Sequence, residues 1–90
     1  MNWKIIFSRD ANDFLQENRA FSEVAAVELV KRAIKMFTGE RINVNIKKLK
    51  GEWTGFHRIK KGKIRVIVLF DFDNFSVFIE RIDWRGNAYK

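Results

Sequence analysis

The 90-residue chain contains no cysteine, so neither a disulfide bond nor a thiolate metal site can form. It has no apolar run of about 18 residues, the length that a membrane-spanning helix requires. The apolar run near the N-terminus is too short for a signal peptide. These absences predict a soluble cytoplasmic protein that does not enter a membrane.

The chain also lacks the common catalytic signatures. It has no glycine-rich phosphate-binding loop and no Ser/His/Asp or Cys/His set, so nucleotide hydrolysis and acyl transfer have no support. Asp71, Asp73 and Asn74 could suggest a divalent cation, yet these residue types are common in hairpin turns and no further carboxylate or histidine cluster accompanies them. We therefore expect a turn there, and neither a metal nor a cofactor.

Acidic residues are scarce in one segment, residues 47–65. The segment has one acidic residue, Glu52, and eight basic residues, and the rest of the chain has ten of each sign, so the whole net charge of +7 comes from this segment. Such clustering is typical of a protein that binds a polyanion, and a merely solvated surface is the alternative. The basic residues are Lys47, Lys48, Lys50, Arg58, Lys60, Lys61, Lys63 and Arg65.

What the chain does contain indicates a folded protein. Hydrophobic residues make up 47% of it and nine are Phe, which is far more apolar material than a disordered segment carries. A chain of this length has material for one core only. We predict a single domain, 1–90.

The first half of the chain predicts a strand followed by two helices. Residues 3–7 suit a short strand, and Ser8 or Asp10 can cap a helix after it. Ser22 is a second N-cap, and Gly39 is a natural helix stop. The predicted apolar stripes are Ala11, Phe14, Leu15 and Asn18 in the first helix, and Val27, Val30, Ile34 and Phe37 in the second.

The second half predicts strands. Residues 42–46 alternate and suit either a strand or an extended connection. Residues 55–60 and 63–70 flank a two-residue type I′ loop, Lys61-Gly62, and residues 75–84 form a last strand. The order β-α-α-β-β-β predicts the α+β class, with a two-helix hairpin packed on a mostly antiparallel four-stranded sheet.

The predicted hairpin is amphipathic across its thickness. With Lys61-Gly62 as the loop, Lys60 lies opposite Lys63 and Arg58 opposite Arg65, so these four cations share one face. His57 falls on the other face, with Ile59, Ile64 and Val66. We interpret this only histidine as a packing residue, with acid–base catalysis as the alternative.

Three motifs resemble the RelE/ParE toxin superfamily along the whole chain: the step Leu49-Lys50-Gly51, the basic hairpin of residues 57–67, and the ending Trp84-Arg85-Gly86-Asn87-Ala88-Tyr89. The resemblance implies the toxin of a type II toxin–antitoxin system. In the RelE branch the toxin enters the ribosomal A site and cuts mRNA by attack of a ribose 2′-hydroxyl on the adjacent phosphate, without a metal.

The resemblance also implies site residues. Arg65 and Arg85 are assigned to phosphate and transition-state charge, Tyr89 to stacking on or orienting a base, and Lys60 to possible proton acceptance. Among the other basic residues, those assigned to RNA binding are Lys47, Lys48, Lys50, Arg58 and Lys63. A frayed C-terminus is the alternative to an ordered tail that carries Arg85 and Tyr89.

Two positions depart from the superfamily's pattern. Trp84 stands where several ribonuclease members have a histidine, and Ile64 replaces the usual aromatic residue of the hairpin. The general base is therefore unassigned, and two alternatives stay open: a ParE-like toxin that inhibits DNA gyrase, and a noncatalytic nucleic-acid-binding domain. The expected partners are mRNA, the ribosome and a cognate antitoxin with acidic residues and an amphipathic helix, in a toxin–antitoxin heterotetramer.

Overall fold

The structure, a computed structural model, describes residues 3–84. A short 3₁₀ helix, Gly51–Trp53, interrupts the chain between the second and third strands. The main elements, in chain order, are β1 (Lys4–Phe7), α1 (Arg9–Glu17), α2 (Glu23–Phe37), β2 (Asn45–Lys48), β3 (His57–Lys61), β4 (Ile64–Asp71) and β5 (Ser76–Trp84).

The strands form a five-stranded sheet in the order β1-β5-β4-β3-β2. β1 is parallel to β5, and the other neighbours are antiparallel. The α+β class and the two-helix hairpin on a mostly antiparallel sheet are confirmed, whereas the count of four strands was one too few. The additional strand is β2, in the region where the sequence left a strand or an extended connection open.

Local hydrogen bonds account for the helix ends. The Ser8 and Ser22 hydroxyls accept from the N–H groups of the third residue beyond them, at 3.0 and 3.1 Å, as predicted N-caps do. At the end of α2, the Gly39 N–H donates to the Met36 carbonyl and the Glu40 N–H to the Lys35 carbonyl. This is a Schellman motif, which requires the left-handed φ of 104° found at Gly39.

The helices cover one face of the sheet and bury the core there. Of the stripe predicted in α2, Val30 and Ile34 are buried, but Phe37 is 41% exposed. Alanines at positions 26 and 33 pack in the core, so the buried stripe is rotated from the one predicted. Among the described residues, no helix combines the length and apolarity needed to cross a membrane.

The β3–β4 hairpin has a register different from the predicted one. Lys61 pairs with Ile64 and Lys60 with Arg65, so the loop is Gly62-Lys63. Gly62 has a φ of 58°, and Lys63 is not among the residues with positive φ, which matches a type II′ turn with glycine at its first central position. The register is shifted by two residues from the predicted one. Because side chains alternate along a strand, each strand residue keeps its predicted face.

Candidate nucleic-acid interface

A cluster of cations lies on the sheet face opposite the helices. Lys47 on β2 pairs with Arg58 on β3, and Lys60 on β3 pairs with Arg65 on β4. Directly paired residues point to the same side of a sheet, with Cβ atoms about 4.5–5.5 Å apart. The intervening residue Ile59 is buried in the core on the other side. We call the face that carries these four cations the basic face.

Among the described residues, no carboxylate forms an ion pair with a cation of the basic face. Arg58 Nη2 donates to Asn45 Oδ1 at 2.8 Å, which is a neutral partner. Within residues 3–84 the structure contains one ion pair, between Arg81 Nη2 and Asp10 Oδ2 at 4.0 Å. Because like charges directly opposite each other destabilise a sheet, a bound anion would relieve the repulsion within the Lys47–Arg58 and Lys60–Arg65 pairs.

Parts of two guanidinium groups are shielded from water. Arg58 Nε and Arg65 Nη1 are buried and have no hydrogen-bond partner among the residues that the structure describes. A charged donor in a water-poor environment interacts more strongly with an anion than the same donor in bulk water. Of the four cations of the basic face, these two arginines are therefore the ones expected to interact most strongly with a bound anion.

Strand β5 contributes two residues that sequence reasoning missed. Arg81 pairs with Ile67, and Asp83 pairs with Arg65, so both lie on the side of the basic face. Asp83 Oδ1 accepts from the Trp84 N–H at 2.7 Å. A register irregularity lies at the Ile67/Val68 step of β4, so simple alternation along the sequence could not place these side chains.

The structure separates the other predicted site residues from the basic face. Lys48 pairs with His57 on the helix side of the sheet, because it follows Lys47 and successive strand residues alternate. Lys50 occupies the N-cap position of the 3₁₀ helix without a side-chain hydrogen bond to it. Lys63 lies in the hairpin loop, so its predicted pairing with Lys60 was wrong. The predictions for Arg85 and Tyr89 fall outside the described residues.

His57 lies on the helix side, as its predicted face requires. Its ring contacts those of Phe37 and Phe70, with centroids 5.5 and 5.6 Å apart. Burial lowers the pKa of His57, and the nearby charge of Lys48 lowers it further. Since the imidazole is on the opposite side of the sheet from Lys60 and Arg65, it cannot act as the base of a reaction on the basic face.

Trp84, which stands where the resemblance expected a histidine, has a structural role. Its indole Nε1 donates to Asn18 Oδ1 at 3.1 Å, and its ring lies 5.6 Å from that of Phe14. These contacts join α1 to the end of β5. In the part of the chain that the structure describes, no three His, Cys, Asp or Glu side chains form a group that could hold a metal ion.

Comparison with protein-family models and with curated protein sequences finds no match. Solved structures do match. The RelBE2 toxin–antitoxin complex of Mycobacterium tuberculosis aligns at 22% identity and a TM-score of 0.62, over 94% of this chain and 100% of that one. The RelE–RelB complex of Pyrococcus horikoshii aligns at 22% identity and a TM-score of 0.61, over 98% and 100%.

A metal-bound toxin from Helicobacter pylori matches at 14% identity with a TM-score of 0.69, over 98% of this chain and 100% of that one. All three matches cover nearly the full length of both chains. Because their sequence identities are low, they show a shared fold alone. The protein described by residues 3–84 thus has the fold of the RelE-like toxins, with its basic face on the side of the sheet that the helices leave open.

Proposed function

We propose that this protein is the toxin of a type II toxin–antitoxin system and acts as a metal-independent, ribosome-dependent mRNA endonuclease. The observation that carries the proposal is the pair Lys60 and Arg65, adjacent to the pair Lys47 and Arg58 on one sheet face. Within residues 3–84, no carboxylate forms an ion pair with any of these four cations. The RelE-like fold supports it, since its solved relatives are toxins.

In the proposed reaction, Lys60 in its neutral amine form accepts the proton of the ribose 2′-hydroxyl, and the hydroxyl oxygen attacks the adjacent phosphorus. The bond from phosphorus to the 5′-oxygen then breaks, and that oxygen takes up a proton from solvent water. The products are a 2′,3′-cyclic phosphate and a 5′-hydroxyl. Negative charge grows on the phosphate oxygens during the attack, and the guanidinium groups of Arg58 and Arg65 stabilise it.

The remaining basic residues would hold the RNA rather than react with it. Lys47 extends the basic face to the edge strand. Lys48, Lys50 and Lys63 lie outside the basic face, so in this proposal they would contact phosphates of RNA that extends beyond it. Arg85 and Tyr89 keep the roles that the resemblance implies, namely stabilising charge and orienting a base. The mRNA would be presented in the ribosomal A site, in the cytoplasm.

The test is expression of the protein in growing cells, with mRNA ends mapped on ribosomes. We expect growth arrest and cuts within ribosome-bound codons, both removed by Arg65→Ala. Lys61→Ala is the matched control, because Lys61 is an exposed cation of the same hairpin on the opposite face, and it should remain toxic. Intact mRNA under arrest would refute the nuclease.

A second candidate function is ParE-like inhibition of DNA gyrase. It is favoured by Trp84, whose indole is engaged with Asn18 and Phe14, so the position that is histidine in several ribonuclease members provides no acid or base here. The same expression experiment separates the two functions. Gyrase inhibition would produce DNA breaks and an SOS response while translation continued.

The proposed inhibitor is a cognate antitoxin with acidic residues and an amphipathic helix, in a heterotetramer with the toxin. Complexes with RelB are known for two of the matched folds. Co-expression with the neighbouring reading frame should abolish toxicity and yield a co-purifying complex whose mass gives its stoichiometry. A neighbouring protein that neither binds nor protects would exclude that reading frame as the antitoxin.

A further inference from the structure

Ile67 on β4 is a fully buried apolar residue whose side chain lies on the sheet face opposite the core. Its exposed fraction is 0%, yet it is absent from the cluster of buried side chains that pack beneath the helices. Its neighbours Val66 and Val68 belong to that cluster. Ile67 therefore points to the side of the basic face, where something other than the helices excludes water from it.

The sheet register surrounds Ile67 with arginines. Its direct partners are Arg58 on β3 and Arg81 on β5. Arg65 lies two residues earlier on β4 and so projects from the same side. Arginine stems are apolar and commonly lie along apolar surface while the charged end remains free to bind, so Ile67 has the neighbours that can cover it.

The polar atoms of these arginines are consistent with such packing. Within the described residues, Arg58 Nε and Arg65 Nη1 are buried without a hydrogen-bond partner, as packing of part of each guanidinium against apolar atoms would require. The register irregularity directly after Ile67 adds local twist, a device that re-aims side chains beside functional sites.

We propose that Ile67 is a positioning residue, a platform on which Arg58 and Arg65 rest so that both guanidinium groups are directed at one phosphate. The platform restricts the rotamers of two long side chains before RNA arrives, and it keeps water from their inner edges. This inference rests on the proposed nuclease function for its consequence in catalysis, but the packing itself is independent of that function.

The experiment compares Ile67→Ala with Ile79→Ala and with Ile67→Val. Ile79 is also 0% exposed, but it belongs to the core beneath the helices, so its truncation removes the same atoms without touching the platform. Ile67→Val keeps a β-branched side chain and loses one methyl group. Thermal unfolding of all three variants measures how much each substitution destabilises the fold.

The first readout is solvent exchange of the Arg58 Nε–H proton, followed by NMR on the protein without RNA. We expect exchange to accelerate about 10-fold or more in Ile67→Ala, because a buried donor becomes hydrated. It should change little in Ile79→Ala and rise only slightly in Ile67→Val. Unchanged exchange in Ile67→Ala would overturn the proposal. If Ile67→Ala does not fold, Ile67→Val provides the test. No measurable rise in its Arg58 exchange rate would then contradict the proposal.

The second readout is cleavage of ribosome-bound mRNA. Because misplacing a catalytic group by about 1 Å can cost about 100-fold in rate, Ile67→Ala should lower kcat about 10- to 100-fold with a small change in KM, and Ile67→Val should restore most of it. Equal losses of kcat in Ile67→Ala and Ile79→Ala would reduce Ile67 to a stability role. Accelerated Arg58 exchange with no cleavage by the unsubstituted protein would support the platform and reject only the nuclease function.

Discussion

At the scale of single residues, alternation along β3 divides two adjacent lysines between different environments. Lys60 is partly buried and lies opposite Arg65, whereas Lys61 is exposed and lies opposite Ile64. They have the same side chain and the same sequence surroundings. Any difference between their substitutions must therefore come from the face of the sheet that each occupies.

We predict that Lys60→Met lowers the rate of mRNA cleavage by about 100-fold or more, the usual loss when a general acid or base is removed. Lys61→Met should change the rate by less than about 3-fold. Single-turnover cleavage on programmed ribosomes measures both, and circular dichroism checks that each variant is folded. Equal rates for the two variants would remove Lys60 from the proposed mechanism.

The pKa shift of His57 predicts a pH dependence of stability. Burial, and then the charge of Lys48, lower the pKa of His57 below 6.5 in the folded protein. Between the lowered value and 6.5 the unfolded chain binds more protons than the folded one, so stability falls as pH decreases through this window. Above 6.5 the stabilising contribution is fully present.

Urea unfolding between pH 7.5 and 5 should show a smaller loss of stability in His57→Gln than in the unsubstituted protein. Lys48→Gln should also reduce the loss of stability at low pH, because it removes the second cause of the lowered His57 pKa. Carboxylates contribute the same background to all three proteins. A His57→Gln variant as pH-sensitive as its parent would contradict the assigned shift.

At the scale of the elements, the hairpin loop depends on one glycine. Gly62 has a φ of 58°, and a Cβ built there meets nothing within 4 Å. Gly62→Ala should therefore cost only backbone strain, about 1 kcal/mol of unfolding free energy. Gly62→Asn should cost less, since asparagine tolerates left-handed φ better. Urea unfolding measures both, and an alanine variant of unchanged stability would argue against the type II′ loop.

The elements show which parts of the fold sequence reasoning can predict. The caps at Ser8 and Ser22 and the stop at Gly39 were predictable because their hydrogen bonds are made within a few residues. The hairpin register was not, since it depends on whether Gly62 occupies the first or the second position of the loop. The predicted faces were nevertheless right, because a register shift of two residues leaves each side chain on the same side of the sheet.

The same reasoning explains what was missed in the candidate site. β2 is a four-residue edge strand with one neighbour in the sheet, so its mainly polar sequence carried little strand signal. Arg81 and Asp83 lie on the side of the basic face because of how β5 pairs with β4. A register irregularity separates them from the earlier part of β5. No local pattern in β5 indicates such a long-range alignment. The shared face of Lys60 and Arg65 was predictable because their hairpin is local, although their direct pairing was not.

At the scale of the whole molecule, charge is distributed unevenly. The net charge of +7 originates in residues 47–65, and the sheet gathers half of that segment's basic residues on the basic face. Three carboxylates of α1, at Asp10, Asp13 and Glu17, line a cleft beside the end of β5. An approaching polyanion is therefore attracted to one side of the protein and repelled at the cleft.

This asymmetry predicts the salt dependence of RNA binding. Each phosphate contact on a single strand contributes about 0.7 to the slope of log K against log salt concentration. Replacing Lys47 and Arg58 by Gln should therefore lower the slope by about 1.4 if each contacts one phosphate. Fluorescence titration of a labelled single-stranded RNA over a range of salt concentrations measures the slope.

The matched control replaces Lys31 and Lys35 by Gln. These two cations are exposed on α2, so their loss changes the net charge by the same amount away from the basic face. If RNA binds at the basic face, the slope of this control should stay close to that of the unsubstituted protein. An equal decrease in both double variants would mean that RNA responds to the total charge alone, and the basic face would lose its status as a binding site.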